Sequence, residues 1–228
     1  MKKLFALLCI AGMSLPMFAA SDKAALSERL ENSRTVIDEI MQTPDKGIPN
    51  DIVKQATCIA VIPSMKKGAF IVGAQYGQGV VTCRTGRGWS GPVFIRMAGG
   101  SFGFQIGGQG TDLVLVAVND KGLQALLKSK FKIGGDIAAS AGPVGRNAQA
   151  STDLSLHAEL LTYSRSKGLF AGIDLDGTTV SQNTEDTSIF YGGPHTFEEI
   201  LKGNVLPPEE SKPFLRTIAK YFHISQQQ

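Results

Sequence analysis

The chain has 228 residues, a formal net charge of +3 and 43% hydrophobic residues. This length and composition predict one compact domain with a substantial core. After the first 20 residues, no segment approaches the roughly 20 unbroken apolar residues of a membrane helix, which excludes a helical membrane span in the mature chain.

The first 20 residues have the layout of a secretory signal. Lys2 and Lys3 precede an apolar run that ends in Ala19-Ala20-Ser21. This pattern predicts a cleaved signal peptide over residues 1–20 and export to the periplasm or the cell envelope. An uncleaved anchor is the alternative, because Met17 or Phe18 would occupy a position that favours a small side chain.

Two cysteines, Cys58 and Cys83, remain in the mature chain. An oxidising compartment allows a disulfide between them. The alternative is a pair of buried thiols on neighbouring strands, because unpaired cysteine packs as a small hydrophobe.

The charges are unevenly distributed along the chain. Residues 54–168 hold 13 basic and 5 acidic residues, whereas residues 21–53 and 169–228 are net acidic. A basic middle between acidic flanks indicates an anionic partner. Scattered lysines whose field the flanks cancel are an equally good interpretation.

Helices are predicted near both ends of the chain. Apolar residues recur at helical spacing from Ser21 to about Gln42, and a short helix is expected over Pro49–Ala56. Asn119-Asp120 should cap a helix over Lys121–Lys128. Two more helices are expected at Thr196–Lys202 and, after Pro207-Pro208, through Phe222, with a polar loop between Gly177 and the first of them.

The middle of the chain is rich in glycine and β-branched residues, which predicts curved strands and turns. Thirteen of the 26 glycines fall between Gly68 and Gly110. In Ser151–Arg165, apolar and polar residues alternate, which predicts a strand with one wet face that carries Leu161. The other predicted strands are Thr57–Pro63, Ala69–Ala74, Gly79–Arg84, Val93–Met97, Ser101–Gly107, Thr111–Asn119, Phe131–Ala141 and Leu169–Leu175.

These elements predict an α+β fold with a central, curved, largely antiparallel glycine-rich sheet or barrel-like sandwich. N-terminal and C-terminal helices should pack on it. We divide the chain into a signal peptide (1–20), an N-terminal helical segment (21–56), a β-rich core (57–182) and a C-terminal helical segment (183–228) packed on the same domain.

Motifs that resemble catalytic sites lack the context that the chemistry needs. The G-x-S-x-G pattern around Ser101 is followed by FQIGGQG, which cannot form the helix that a nucleophile elbow requires. Asp174 and Asp176 begin a segment with a faint likeness to a calcium loop, but its glycine stands at the wrong position. We therefore predict no catalytic residues, no metal site and no cofactor.

Five blocks of the sequence carry a family resemblance. They are MKKGAFIVGAQYGQGVVTCR (65–84), GRGWSGP (86–92), GGSFGFQIGGQGTDLVLV (99–116), KFKIGGDIAASAGPVGR (130–146) and YSRSKGLFAGIDLDG (163–177). The chain resembles the SYLF domain family over roughly residues 40–180. This resemblance implies a lipid-binding module that favours phosphoinositides and other anionic lipids. Some eukaryotic members also bind actin.

The basic residues of the middle segment are the predicted lipid contacts, because they fall at expected turns and strand ends. About 1 kcal/mol per basic residue near an anionic surface would give reversible, salt-sensitive docking. Phe131 is a candidate to place its ring at the headgroup level, as is Trp89, for which core packing is the alternative. The predicted cations are Lys66, Lys67, Arg84, Arg87, Arg96, Lys128, Lys130, Lys132, Arg146, Arg165 and Lys167.

The sequence thus predicts an exported, non-catalytic protein that docks on anionic phospholipid through a basic rim. The alternative is a structural or protein-interaction module of the envelope without lipid specificity. Nucleic acid is not an expected partner, because the aromatic residues do not interleave with the basic ones. Actin is unlikely to meet an exported bacterial-type protein. The sequence leaves the oligomeric state open.

Overall fold

The computed structural model describes residues 22–43, 47–69, 72–102, 110–144, 158–166, 169–170 and 173–223. Within these ranges, no helix has the length and apolar character needed to cross a membrane. The helices are α1 (Lys23–Gln42), α2 (Asn50–Gln55), α3 (Asp120–Leu127), α4 (Thr184–Tyr191), α5 (Phe197–Leu201) and α6 (Lys212–Tyr221). Side-chain caps from Asp22, Asn119 and Thr196 begin α1, α3 and α5.

The described strands are β1 (Cys58–Ala69), β2 (Val72–Thr85), β3 (Gly88–Trp89), β4 (Val93–Phe102), β5 (Gly110–Ala117), β6 (Lys130–Lys132), β7 (Ala139–Ala141), β8 (Leu160–Ser166), β9 (Leu169–Phe170) and β10 (Thr179–Gln182). They form one sheet in the order β6-β10-β4-β2-β1-β5-β8-β7, with β3 added to β2 and β9 to β8. All pairs are antiparallel except β7 with β8.

The sheet curls into a half-barrel. Its two edge strands, β6 and β7, are separated in sequence by only residues 133–138. Six extended residues span at most about 20 Å, so the two edges must lie near each other. The predicted α+β fold with a curved, largely antiparallel sheet and helices from both ends of the chain is therefore confirmed.

Both faces of the central strands are buried. The face inside the curl, which we call the enclosed face, packs Ile62, Met97, Leu115 and Phe131 against α3 and α5. The opposite face, which we call the outer face, is covered in its middle by α1, α2, α4 and α6. Burial on two sides explains why β5 is continuously apolar.

The wet face predicted for Leu161 is wrong. Leu160 and Leu161 are both buried, Leu160 in the enclosed core and Leu161 in the cluster beneath the helices of the outer face. Residues 151–157 of the same predicted strand lie outside the described residues. Alternation failed here because helices cover the second face of β8.

The polar loop predicted after Gly177 is also wrong. It contains β10, which pairs with β4 and β6, and the helix α4, which Asn183 caps. Other strand boundaries also differ from the prediction. β1 continues past Pro63 to Ala69, β4 runs from Val93 to Phe102 without a break, and the described part of β9 has only two residues. Residues 72–85 form the single strand β2, and residues 131–141 form β6 and β7 with a turn between them.

Cys58 and Cys83 face each other across β1 and β2 and form a disulfide, with Cα atoms 4.0 Å apart. We expect the double variant Cys58→Ala/Cys83→Ala to lose about 2–4 kcal/mol of unfolding free energy, because the unfolded chain is no longer constrained. Chemical denaturation with and without reductant measures this loss. Reductant should destabilise the parent chain and leave the double variant unchanged. The intact mass of protein purified without reductant should also be two hydrogens lighter.

Candidate functional site

The helices leave one part of the outer face of the sheet uncovered. Alternation places Phe131 in the enclosed core and turns Lys130 and Lys132 outward. The cross-strand row that starts at Lys132 on β6 runs over β10 and β4 to Tyr76 on β2 and ends at Lys66 on β1. The Tyr76 side chain is exposed. We call this surface the cationic face. It comprises Lys66, Tyr76, Arg96, Lys130 and Lys132.

A β-bulge in β1 turns Lys66 toward the cationic face. If side chains alternated strictly along β1, Lys66 would lie on the enclosed face together with Ile62. One extra residue between Ile62 and Met65 shifts the register, so Met65 is enclosed and Lys66 points outward. Ser64 adopts φ 48° in the bulge, and its amide N–H donates to Asp112 Oδ1 over 2.9 Å.

A groove of about 300 Å³ adjoins the cationic face between α1 and the bulge of β1. Its sheet wall contains Lys66 and Tyr76, which is 46% exposed, and its helix wall contains Glu28, Arg29 and Asn32. The groove therefore presents both signs of charge beside one exposed aromatic ring. Tyr76 is a candidate that sequence reasoning missed, although alternation with Val80 on the outer face could have indicated it.

Arg29 fixes the helix wall of this groove. Its Nη1 donates to Asp186 Oδ2 and its Nη2 to Gln78 Oε1, each over 2.6 Å, and its guanidinium lies over the ring of Phe94. The Asp186 side chain is 1% exposed and that of Arg29 is 15% exposed. This ion pair joins α1 to α4 and β2, so Arg29 serves the fold.

Three of the predicted lysines surround the turn from α3 to β6. Lys128, Lys130 and Lys132 are exposed, and among the described residues none of their ammonium groups has a carboxylate oxygen within 4.0 Å. The backbone N–H of Lys132 donates to Asp136 Oδ2 over 2.7 Å. The Gln182 side chain donates to the backbone carbonyls of Leu127 and Lys128, which anchors the turn to β10. The turn therefore holds three free ammonium groups close together on a fixed backbone.

Acidic residues flank this turn. A groove of about 360 Å³ between α3 and the turn at residues 133–138 contains Asp120, Asp136 and Glu159. The side chain of Lys132 lies beside Gly135 and Gly177, on the two loops that carry Asp136 and Asp176. In the described parts of the chain, no three potential metal ligands lie close enough together to hold one metal ion. Lys128 lines the same groove, so the local fields at Lys128 and Lys132 are mixed, whereas Lys130 on the cationic face is less affected.

Three predicted lipid contacts are corrected by the structure. Phe131 is 2% exposed and packs in the enclosed core, so its ring cannot reach a membrane. Arg165 pairs with Glu39 and Asp112, and its side chain is 13% exposed. Arg84 donates to the carbonyls of Ala56 and Val53, and its burial lowers the pKa of its guanidinium.

The remaining candidates lie in different places. Arg87 is exposed in the turn between β2 and β3, at the end of the sheet where Cys58 pairs with Cys83. Lys66 lies eight residues further along β1, about 26 Å away at strand spacing, so the cations do not form one continuous rim. Lys67 is half-buried in register with the buried Gln75.

Trp89 packs against the C-terminal part of the chain. The ring of Trp89 contacts Phe222 edge-on and lies under Arg84, so the alternative of packing is correct. Arg96 lies within β4 on the outer face and not at a strand end. Arg146 and Lys167 lie outside the described residues, as do residues 103–109 of the Gly-rich block.

Comparison with known proteins shows to which family the chain is similar. The family described as "Ysc84: Las17-binding protein actin regulator" matches residues 98–221. "LAS seventeen-binding protein 3" of Saccharomyces cerevisiae is 35% identical over 178 residues, which are 76% of this chain and 39% of the yeast protein.

Two further relatives are similar to the same extent. "SH3 domain-containing YSC84-like protein 1" of Xenopus laevis is 37% identical over 172 residues, 74% of this chain and 51% of that protein. "Protein YSC84" of Saccharomyces cerevisiae is 34% identical over 178 residues, 76% of this chain and 38% of that protein. The chain thus spans about two fifths to one half of these relatives, and the family description names a binding protein and actin regulator. Because the family model matches more than half of its length, the chain belongs to the Ysc84 family, in which the SYLF domain is found.

Proposed function

We propose that this chain is a non-catalytic module that docks on anionic phospholipid through the cationic face and the adjoining Lys128. The observation that carries the proposal is the turn from α3 to β6, where the ammonium groups of three exposed lysines have no carboxylate oxygen within 4.0 Å among the described residues. A long ammonium side chain without an internal partner keeps its full charge available to a phosphate plane. Tyr76 adds an exposed aromatic ring, a residue type enriched at the headgroup level.

The contrast with the corrected candidates supports this assignment. Arg29 and Arg165 are paired with buried or half-buried carboxylates, and Arg84 is bound to backbone carbonyls. These three cations are committed to the fold. The lysines of the turn and of the cationic face, by contrast, are not committed to the fold in this way.

We expect the triple variant Lys128→Glu/Lys130→Glu/Lys132→Glu to lower binding to anionic vesicles by at least about 100-fold at low salt, from about 1 kcal/mol for each lysine. The melting temperature should stay unchanged, because these side chains are exposed. Vesicle flotation with phosphatidylglycerol, at several salt concentrations, measures the binding. Binding of the parent chain should weaken as salt rises.

A control with the same change in net charge separates a local site from general attraction. The triple variant Lys54→Glu/Lys212→Glu/Arg216→Glu alters exposed cations on α2 and α6. This control variant should still float with the anionic vesicles. Equal losses in both variants, or no dependence of the parent on anionic lipid, would remove the proposal.

A protein-interaction module is the second candidate, because the family description names a Las17-binding protein. In that case the cationic face would bind an acidic protein surface and flotation would be independent of lipid charge.

We further propose that the chain acts outside the cytoplasm, which would separate it from actin. The layout of residues 1–20 supports this proposal. The intact mass of the protein from the producing cell should then lack these residues.

A further inference from the structure

Arg96 occupies an unusual position on the cationic face. It lies in the middle of β4 and points away from the enclosed core, between Ile95 and Met97, which both face that core. In register with it, Ser181 on β10 and then Lys130 on β6 continue the same cross-strand row. An arginine, a hydroxyl and an ammonium group therefore stand side by side on neighbouring strands.

The bonding of Arg96 is incomplete. Its Nη2 lies 3.8 Å from Glu185 Oε2, which is too far for a hydrogen bond, and its Nε is buried without a hydrogen-bond partner. Buried donors are nearly always paired in folded proteins, so this one requires an explanation. The Glu185 side chain is 68% exposed and can move aside without disturbing the core.

The two neighbours of Arg96 are equally available. The Ser181 hydroxyl has a contact of 3.5 Å with the carbonyl of Arg96, at the limit of hydrogen bonding. The Lys130 ammonium is exposed and has no carboxylate within 4.0 Å among the described residues. Three hydrogen-bond donors, two of them charged, thus face the same side of the sheet and form few hydrogen bonds or ion pairs within the protein.

We propose that Arg96, Ser181 and Lys130 bind a terminal phosphate group and that Glu185 competes with it for Arg96. The planar guanidinium can hold two phosphate oxygens at once, and two cations match the charge of a phosphate monoester, which approaches −2 at neutral pH. A phosphodiester offers one charge and fewer free oxygens. The ligand is therefore a phosphomonoester, and its lipid source rests on the proposed function.

The test compares vesicles of equal surface charge that contain either phosphatidic acid, a phosphomonoester, or phosphatidylglycerol, a phosphodiester. The full chain should prefer phosphatidic acid by at least about fivefold, the gain expected from one additional charged contact. Arg96→Lys should abolish this preference while retaining docking on both vesicles, because lysine keeps the positive charge but lacks the paired N–H donors of the guanidinium. Lys130→Gln should weaken binding to both.

Glu185→Gln gives a result of the opposite sign. Removing the internal carboxylate should raise the preference for phosphatidic acid over phosphatidylglycerol by about threefold, within the range of an exposed ion pair. Arg216→Lys is the matched control, because Arg216 is an exposed arginine on α6, away from this row. It should leave the preference intact.

A titration with soluble phosphates tests the site without vesicles and distinguishes a soluble ligand from a lipid headgroup. Inorganic phosphate and glycerol 3-phosphate are titrated into the full chain, and the NMR signal of Arg96 Nε is followed. A saturable shift that is absent in Lys130→Gln supports the site. Competition of glycerol 3-phosphate against vesicles indicates a soluble ligand, and its failure to compete indicates a lipid headgroup.

Three outcomes overturn the inference while leaving the proposed function intact if phosphatidylglycerol vesicles still bind. They are equal binding to both vesicles, a preference that survives in Arg96→Lys, and a weaker preference in Glu185→Gln. If neither vesicle binds, the proposed function fails. In that case the NMR signal of Arg96 Nε tests the phosphate site on its own. If phosphate does not shift this signal, the site is rejected.

Discussion

Replacing Arg29 by alanine is expected to destabilise the folded chain by about 3–5 kcal/mol, the largest loss that we predict for a single side chain. The variant leaves the carboxylate of Asp186, which is 1% exposed, without its partner beneath α1. It also removes the hydrogen bond to Gln78 and the stacking on Phe94. Chemical denaturation followed by circular dichroism measures the change.

A double-mutant cycle shows whether the loss comes from the stranded charge. Arg29→Ala/Asp186→Ala removes both charges and should be more stable than the sum of the two single losses predicts. Arg34→Ala on the exposed face of α1 is the control, because its pairs with Glu31 and Asp38 lie at the surface. It should cost less than about 1 kcal/mol. Equal losses at Arg29 and Arg34 would contradict this account of the buried pair.

Gly79→Ala should cost about 3 kcal/mol, at the upper end of the range for overpacking a core. A Cβ atom at Gly79 would lie 2.1 Å from the backbone oxygen of Val61 and 2.9 Å from Ile62 Cγ1. The nearest obstacle is the backbone of β1, which pairs with both β2 and β5, so it cannot move without disturbing both ladders. Thermal denaturation should show a much lower melting temperature.

Gly100→Ala, in the adjacent strand β4, is the matched control. A Cβ atom at Gly100 meets nothing within 4 Å, so the substitution should be neutral or slightly stabilising. If Gly79→Ala were equally tolerated, the glycines of β2 would not be required for close approach of the strands. The density of glycine in this block would then need a different cause.

The helices were predictable from sequence where caps and apolar spacing agree. Asp22 and Asn119 cap α1 and α3 as their residue types indicate. By contrast, β10 has four residues, and the helix α4 follows it within a polar segment, so neither has a long periodic signal. Tertiary pairing with β4 and β6 forms β10, and no local pattern reports such pairing.

The candidate site was only partly predictable for a similar reason. Lys128, Lys130 and Lys132 cluster in sequence, so their proximity needs no long-range information. Whether Arg165 faces an anion or pairs with Glu39 depends on a contact between residues more than 100 positions apart. Tyr76 and Lys66 share a surface because of the bulge at Ser64, a φ > 0 residue that no turn motif announces.

The contact between α1 and α6 also dictates when the chain can finish folding. Lys23 pairs over 2.7 Å with Glu210, just before α6, and the Gln42 side chain donates to the Tyr221 hydroxyl over 3.0 Å, so α1 and α6 close over the same part of the sheet. Until residues 210–221 have emerged from the ribosome, the outer face of the central strands lacks part of its helical cover. The nascent chain should therefore depend on a holding chaperone during synthesis, and its refolding in isolation should be slow, since so many of its pairings join distant positions.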